Sequence, residues 1–227
     1  MKFIYVRGGS KTAPVVANTV GWLYGTRHDY TAYAPVTLLD VDFHNFTPDK
    51  WQGYIARVQE LKPSMALVPD YGQLPNHNVT RYELYSYIHD LILLGVPDVL
   101  VCPKFEGAIQ HIPESCIIAL SVPAPTYSGF LPADLSELAG RRVHLLGGNV
   151  FNQARLIMTL QSVGATIYSL DGSHHAMKAA RGQYFDGGRW VQTPPNSTPT
   201  MELEIISARN ITHYLVNAQR LHQPILI

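Results

Sequence analysis

The chain carries little charge, and neither sign is in excess. Only 15% of its 227 residues are charged, and 17 Lys and Arg are matched by 17 Asp and Glu, so the formal net charge is zero. Proteins that hold nucleic acid through bulk charge normally have a basic excess, because they must neutralise phosphates. That mode of binding is disfavoured, although a local basic patch is compatible with the same totals.

Cysteine is also scarce. Cys102 and Cys116 are the only two, and each lies in or beside an apolar run, which indicates buried thiols in a reducing compartment rather than a disulfide framework. The chain has no Cys-x-x-Cys pair, and its ten histidines are scattered apart from His174-His175. Neighbouring residues rarely share one metal ion, so we predict no metal site and no other cofactor.

Long hydrophobic runs are missing as well. No apolar stretch approaches the roughly 18 residues of a membrane-spanning helix. The apolar run in the N-terminal MKFIYVRGG is too short for a signal peptide. We therefore expect a cytoplasmic protein without a membrane partner.

The apolar residues, 46% of the chain, are enough for a core and are arranged in short runs. Short continuous runs rich in Val, Ile and Leu are typical of parallel strands buried on both faces. Seven such runs occur, at residues 3–6, 36–41, 65–68, 99–102, 116–120, 143–146 and 166–170.

Helical patterns lie between these runs. Apolar residues at helical spacing predict helices over residues 49–61, 80–94, 149–163 and 201–219. The segment 181–200 breaks the pattern, since it is rich in Gly, Pro, Ser and Thr, and it predicts a hairpin or a long loop.

This alternation of strands and helices indicates parallel βα units. We assign residues 1–227 to a single catalytic domain, an α/β fold of the TIM-like (β/α) barrel type. An open doubly wound sheet fits the same pattern, but no Gly-x-Gly-x-x-Gly follows the first strand, which weakens its dinucleotide-binding version. Because a TIM barrel has eight strands and seven are visible, we expect a compact or incomplete barrel.

Polar residues follow the predicted strands, at the ends where both architectures place their active sites. They are Asp40, Asp42, Asp70, Lys104, Gly147, Gly148 and Asp171. An aspartate after a strand is also a good turn former and helix cap. We favour that role for Asp40 and Asp42, and it stays open for Asp70 or Asp171 taken singly. The glycine pair either permits a tight turn or lets a flat ligand approach the backbone.

Together these residues put two carboxylates, a lysine and glycine backbone around one mouth. Two carboxylates facing one cleft suit glycosyl chemistry, in which one attacks an oxocarbenium-like carbon and the other moves a proton at the leaving group. The leaving group can be a purine. A flat base between the carboxyl groups of Asp70 and Asp171 requires a separation on the order of 5–10 Å.

Several segments resemble tRNA-guanine transglycosylases. Residues 143–148 (VHLLGG), then a helix, then residues 164–171 (GATIYSLD) resemble the late barrel segment in which one strand ends in glycine and the next delivers the nucleophilic aspartate. Residues 180–185 (ARGQYF) resemble the Arg-Gly loop beyond that nucleophile, and residues 67–72 (LVPDYG) are similar to the early strand whose aspartate contacts guanine. The likeness is closer to the small relatives from phages and bacterial DNA-modification islands that insert 7-deazaguanines into DNA.

The resemblance implies a pentosyltransferase that replaces guanine in DNA with a free 7-deazaguanine base such as preQ0, through a covalent aspartyl-glycosyl intermediate. It implies Asp171 as the nucleophile and Asp70 as the residue that recognises the purine edge and shuttles its proton. Residues expected to line the base pocket are Lys104, Ser121, Gly147, Gly148 and Tyr71. Residues expected to bind nucleic acid are Arg181, Arg189 and Trp190, with Tyr127 and Tyr184 as further stacking candidates.

Two departures from the family pattern bear on these expectations. The tRNA enzymes carry a zinc subdomain of three cysteines and a histidine, which this chain lacks, so DNA is favoured over tRNA. Gly172-Ser173-His174 replaces the usual aromatic and proline context of the nucleophile, which leaves the role of Asp171 open. The alternatives are a nucleoside or DNA N-glycosidase with the same carboxylates, and a non-catalytic barrel that serves as a nucleic-acid-binding subunit. A homo-oligomer is compatible with either, and a phage-encoded enzyme would act in the host cytoplasm.

Overall fold

A computed structural model of the chain describes residues 1–42, 45–73, 77–123, 130–195 and 197–221. A closed barrel of eight parallel strands, hydrogen-bonded in chain order, forms its centre, and the ring closes where Phe3 pairs with Leu170. The strands are β1 (Lys2–Val6), β2 (Leu23–Arg27), β3 (Leu38–Asp40), β4 (Met65–Leu67), β5 (Asp98–Val101), β6 (Ile117–Ser121), β7 (Arg142–Leu146) and β8 (Thr166–Asp171). The predicted α/β barrel of TIM-like type is confirmed, and it is complete.

Strand β2 is the one that the sequence pattern did not reveal. Its residues, Leu-Tyr-Gly-Thr-Arg, form no continuous apolar run. The strand is buried nevertheless, because Gly25 lets β1 and β3 approach from both sides: a Cβ atom at this position would lie 2.8 Å from Val6 Cγ2 and 3.1 Å from the carbonyl oxygen of Leu38. A small residue is therefore needed in this part of the barrel wall.

Six α-helices surround the barrel in the described part of the chain. They are α1 (Ala13–Val20), α2 (Pro48–Leu61), α3 (Arg81–Leu93), α4 (Val150–Ser162), α5 (His174–Ala179) and α6 (Thr200–Arg220). The four predicted helices match α2, α3, α4 and α6 to within one residue at each end, and the capping box of Thr80 with Glu83 sets the start of α3. Helices α1 and α5 were not predicted. None of these helices is both long and apolar enough to cross a membrane.

The barrel is compact because three of its connections contain no α-helix within the described residues. Strand β2 runs to β3 through a loop, and β5 and β6 are followed by single 3-10 turns, Ala108–His111 and Leu135–Leu138. The segment 181–200 contains the antiparallel hairpin of β9 (Gln183–Phe185) and β10 (Trp190–Gln192). Phe185 is fully buried against α6, which anchors the hairpin beside β8.

The two ends of the barrel differ in chemistry. At the amino-terminal end, Asp98 accepts hydrogen bonds from Arg142 (3.1 Å) and from the hydroxyl group of Tyr168, and it lies 3.7 Å from the ammonium group of Lys2. These four residues come from β5, β7, β8 and β1, so they link the barrel walls across its floor. Above them lie apolar residues that are fully buried, including Ile4. The carboxyl-terminal end is where the acidic strand ends meet.

Candidate active site

Three aspartates lie at the carboxyl-terminal mouth of the barrel. Asp40 ends β3, Asp171 ends β8, and Asp70 follows shortly after β4. Strand β8 is opposite β4 in the eight-stranded ring, so Asp171 and Asp70 come from opposite walls. Burial, followed by the negative charges of Asp171 and Asp70, raises the pKa of Asp40 to about 8. The two predicted catalytic carboxylates, Asp171 and Asp70, therefore both raise the pKa of Asp40.

Asp171 is held from two directions. Its Oδ1 atom accepts the backbone N–H of Gly147, and the amide nitrogen of Gln153 donates to the carbonyl oxygens of Gly147 and Asp171, both at 2.8 Å. The residue is 5% exposed, and burial raises the pKa of its carboxyl group to about 7 although the bond from Gly147 lowers it. Asp171 is thus bonded across to the end of β7, as a helix cap or an isolated turn residue would not be.

Asp70 belongs to a chain of polar contacts. The sequence predicted that its members lie near one another but not how they are bonded. The ammonium group of Lys104 lies 2.9 Å from Asp70 Oδ2 and donates to Ser121 Oγ at 2.9 Å. Ser121 also lies 3.2 Å from the sulfur of Cys102, whose burial raises the pKa of its thiol to about 12. The ends of β4, β5 and β6 are joined by these contacts, and Asp70 is the charged group that faces the mouth with a cation at its side.

The two glycines after β7 have different surroundings. Both adopt positive φ angles, +64° at Gly147 and +79° at Gly148. A Cβ atom on Gly147 would meet nothing within 4 Å, whereas one on Gly148 would lie 2.4 Å from Val122 Cγ1. Gly148 is therefore required for close packing against the end of β6, and it also lines the pocket that contains Asp171.

This contrast predicts unequal effects of two matched substitutions. Gly147→Ala should cost about 1 kcal/mol, the strain of a left-handed alanine. Gly148→Ala adds overpacking against Val122 and should cost roughly 2–5 kcal/mol in total. Urea denaturation of both variants measures the difference, and equal losses of unfolding free energy would contradict the assignment of Gly148 to packing.

Tyr71, predicted to line the base pocket, is packed into the protein with its hydroxyl group engaged. It is 3% exposed, its hydroxyl group shares a 2.9 Å hydrogen bond with His111, and its ring packs against Phe105 with 4.9 Å between centroids. Its backbone also bonds to Cys102 and Lys104. Tyr71 therefore fixes the loop after β4 against the loop after β5, which keeps Asp70 beside Lys104.

A small pocket with a cavity volume of about 20 Å³ lies beside Asp171. Trp190 and His174 line it together with Asp171, and their rings are in edge contact at 5.5 Å between centroids. Arg181 is exposed in the turn before β9, and Arg189 is exposed in the turn between β9 and β10, where it pairs with Asp186 at 3.2 Å. Of the three predicted nucleic-acid residues, Trp190 is the one that lines the pocket. Tyr127 lies outside the described residues, as do Phe43 and His44 next to Asp42.

Two residues of this site were missed by the sequence analysis. The first is Asp40, which was assigned, like Asp42, to capping or structure. Asp42 pairs with Arg27 at 3.3 Å, as a structural role requires. His144, in the middle of the apolar β7 run, is fully buried beneath Asp171. Its Nε2 atom lies 3.8 Å from Asp171 Oδ1. Over the described ranges, no three His, Cys, Asp or Glu side chains are placed to hold a metal ion.

The fold and the site together define an α/β-barrel protein with a carboxylate-lined mouth. The chain belongs to a family described as a family of unknown function (DUF6610), whose model matches residues 17–215. This match includes every barrel strand except β1, and with them all three mouth aspartates. No curated protein and no solved structure matches the chain.

Proposed function

We propose that this protein is a base-exchange transglycosylase that replaces guanine in DNA with a 7-deazaguanine such as preQ0. The observation that carries the proposal is the set of carboxyl groups from different barrel walls, buried Asp171 on one side and buried Asp70 with the partly buried Asp40 on the other. Glycosyl transfer needs a nucleophilic carboxylate on one face of the sugar carbon and an acid at the leaving group.

In the first step, a carboxylate oxygen of Asp171 attacks C1′ of the guanosine nucleotide. The C1′–N9 bond breaks, its electron pair stays on the purine, and an ester forms between C1′ and Asp171. The departing purine takes a proton from a neutral carboxyl group. Asp40 suits this role, because its pKa of about 8 keeps it protonated at neutral pH.

Asp70 has the environment of a recognition group. It pairs with Lys104 at 2.9 Å, and a carboxylate accepts hydrogen bonds from groups such as the N1–H and amino groups of guanine. A 7-deazaguanine presents the same donors. The incoming base then gives its N9 proton to the acid carboxylate, attacks C1′ and releases Asp171, which restores the starting state of the protein.

DNA supplies the reacting guanine only after it leaves the base stack, at a cost of a few kcal/mol. Stacking on an aromatic side chain contributes about 1–3 kcal/mol per base, which can offset that cost. Trp190 lines the pocket beside Asp171, which supports it as the stacking residue. Arg181 and Arg189 are exposed in the turns before and after β9 and are the residues we propose for phosphate contacts.

The proposal predicts a modified nucleoside as the product. The protein is incubated with guanine-containing duplex DNA and preQ0, the DNA is digested to nucleosides, and the product is identified by mass spectrometry. We expect 7-deazaguanine nucleoside in the DNA and one free guanine released for each base inserted. Radiolabelled guanine should enter the DNA in the same way when preQ0 is omitted.

The other outcomes separate the alternatives. Abasic sites without insertion would show an N-glycosidase that uses water in place of the incoming base. Binding of the DNA with neither release nor insertion would show a non-catalytic subunit. Both results contradict the exchange proposal.

A further inference from the structure

His144 occupies an unusual position for a histidine. It lies inside the β7 wall, is 0% exposed, and pairs in register with Ala119 on β6 and Ser169 on β8. Its Nδ1 atom lies 2.8 Å from Ser169 Oγ. Its Nε2 atom has no hydrogen-bond partner among the described residues, and it lies 3.8 Å from Asp171 Oδ1. A buried polar atom without a partner costs free energy, so its retention here requires a reason.

The contacts with Ser169 and Asp171 together select which ring nitrogen carries the proton, since the Ser169 hydroxyl group can either donate to Nδ1 or accept from it. Burial lowers the pKa of His144 to about 3, so the ring is neutral and has one N–H group. When the Ser169 hydroxyl group donates to Nδ1, the proton is on Nε2 and points to the Asp171 carboxylate. The opposite tautomer would place the lone pair of Nε2 against a carboxylate oxygen, which is repulsive once Asp171 is ionised.

We propose that His144 is a positioning residue for Asp171. The Nε2–H group of His144, favoured by the contact with Ser169, is the second N–H group that holds the ionised carboxylate. The first is the backbone N–H of Gly147. Shortening of this 3.8 Å contact to about 3.2 Å when Asp171 is ionised would make it a hydrogen bond. Together the two donors aim the carboxylate and stabilise its charge within the buried site. The consequence for catalysis rests on the proposed function, but the contact itself does not.

The charged and titratable groups around Asp171 come from several elements. Asp40 acts from β3, His144 from β7, and His174 and His175 line the same pocket from α5. Among these groups, His144 is the one that can donate a proton to the carboxylate from inside the barrel wall. His175 is a natural control, since it is also buried with an unpartnered Nε2, but its ring contacts Tyr5 and Trp22.

The test is the titration of the Asp171 carboxyl group by ¹³C NMR, assigned with Asp171→Asn. We expect His144→Phe to move the titration midpoint up by about 1–2 pH units, the size of one hydrogen bond to an ionised carboxylate. His144→Gln, whose amide N–H reaches the place of Nε2, should restore most of the wild-type midpoint. Ser169→Ala should cause part of the shift, and His175→Phe should leave the midpoint in place.

An unchanged midpoint in His144→Phe overturns the proposal, and so does an equal shift in His144→Phe and His144→Gln, which would indicate packing alone. If His144→Phe does not fold, Ser169→Ala decides the same question, because an unchanged midpoint there removes the tautomer argument. The rate of base exchange against pH is measured in parallel. A shifted midpoint in a protein without exchange activity would refute the proposed function and leave the role of His144 intact.

Discussion

Asp171→Asn should fold normally and lose base exchange by at least about a thousandfold, because a carboxamide is a poor nucleophile and cannot form the glycosyl ester. The bond from Gly147 can still be accepted by the amide oxygen, so the geometry at the end of β8 is expected to persist. Exchange of radiolabelled guanine into DNA measures the loss. Denaturing electrophoresis of the protein–DNA adduct should show it in the wild type and not in the variant.

The matched control for this substitution is Asp42→Asn. Asp42 is also an aspartate beyond a strand end, but it pairs with Arg27 and accepts a hydrogen bond from Asn45. Its exchange rate should stay within tenfold of the wild-type rate. Exchange by Asp171→Asn within that same range would remove Asp171 from the role of nucleophile and the proposed mechanism with it.

Asp40→Asn should stabilise the protein in alkaline solution. The pKa of Asp40 is about 8 in the folded protein and near 3.9 in an unfolded chain, so ionising it costs folding free energy. The stability is complete below pH 4 and falls as the pH rises through 8, and Asp171, with a pKa of about 7, adds to the same decline. We expect the variant to gain roughly 3–10 °C in Tm at pH 8.5 and almost nothing at pH 4.

Asp29→Asn tests whether this effect is specific to the mouth. The hydrogen bond from Arg27 lowers the pKa of Asp29, so its charge stabilises the fold above pH 4 and its removal should lower Tm slightly in alkaline solution. Thermal unfolding of both variants across pH 4–9 makes the comparison. Equal Tm changes of the two variants at pH 8.5 would contradict a buried, electrostatically opposed Asp40.

The barrel could be predicted from the sequence because most of its strands are continuous apolar runs. Strands β5 and β6, for example, are buried at every position, and their polar residues, Asp98 and Ser121, stand at the strand ends, so the apolar runs between are continuous. Strand β2 was missed for the opposite physical reason. Its Gly25 allows close packing between the neighbouring strands. In the sequence, a glycine that is required because no Cβ atom fits cannot be distinguished from a glycine in a loop.

The site was predictable only where its residues stand just beyond a strand. Asp70 and Lys104 were expected near each other on that ground, and they form an ion pair. Asp40 and Asp42 are two residues apart and look alike in sequence. In the fold, however, Asp40 lies near the negative charges of Asp171 and Asp70, whereas Asp42 pairs with Arg27. His144 lies inside an apolar run, where only the register of β7 against β8 reveals its neighbour Asp171.

The polar contacts among Lys2, Asp98, Arg142 and Tyr168 close the amino-terminal end of the barrel, which leaves the carboxyl-terminal mouth as the way in. Anything that reaches Asp171 along the barrel axis must come and go on the same side, so a departing purine and an arriving one compete for one route. Under the proposed exchange, guanine would have to diffuse away before its replacement enters, and the ester with Asp171 would hold the DNA during that interval. For an exchange reaction this architecture imposes a ping-pong order, with released guanine acting as a competitor of the incoming base.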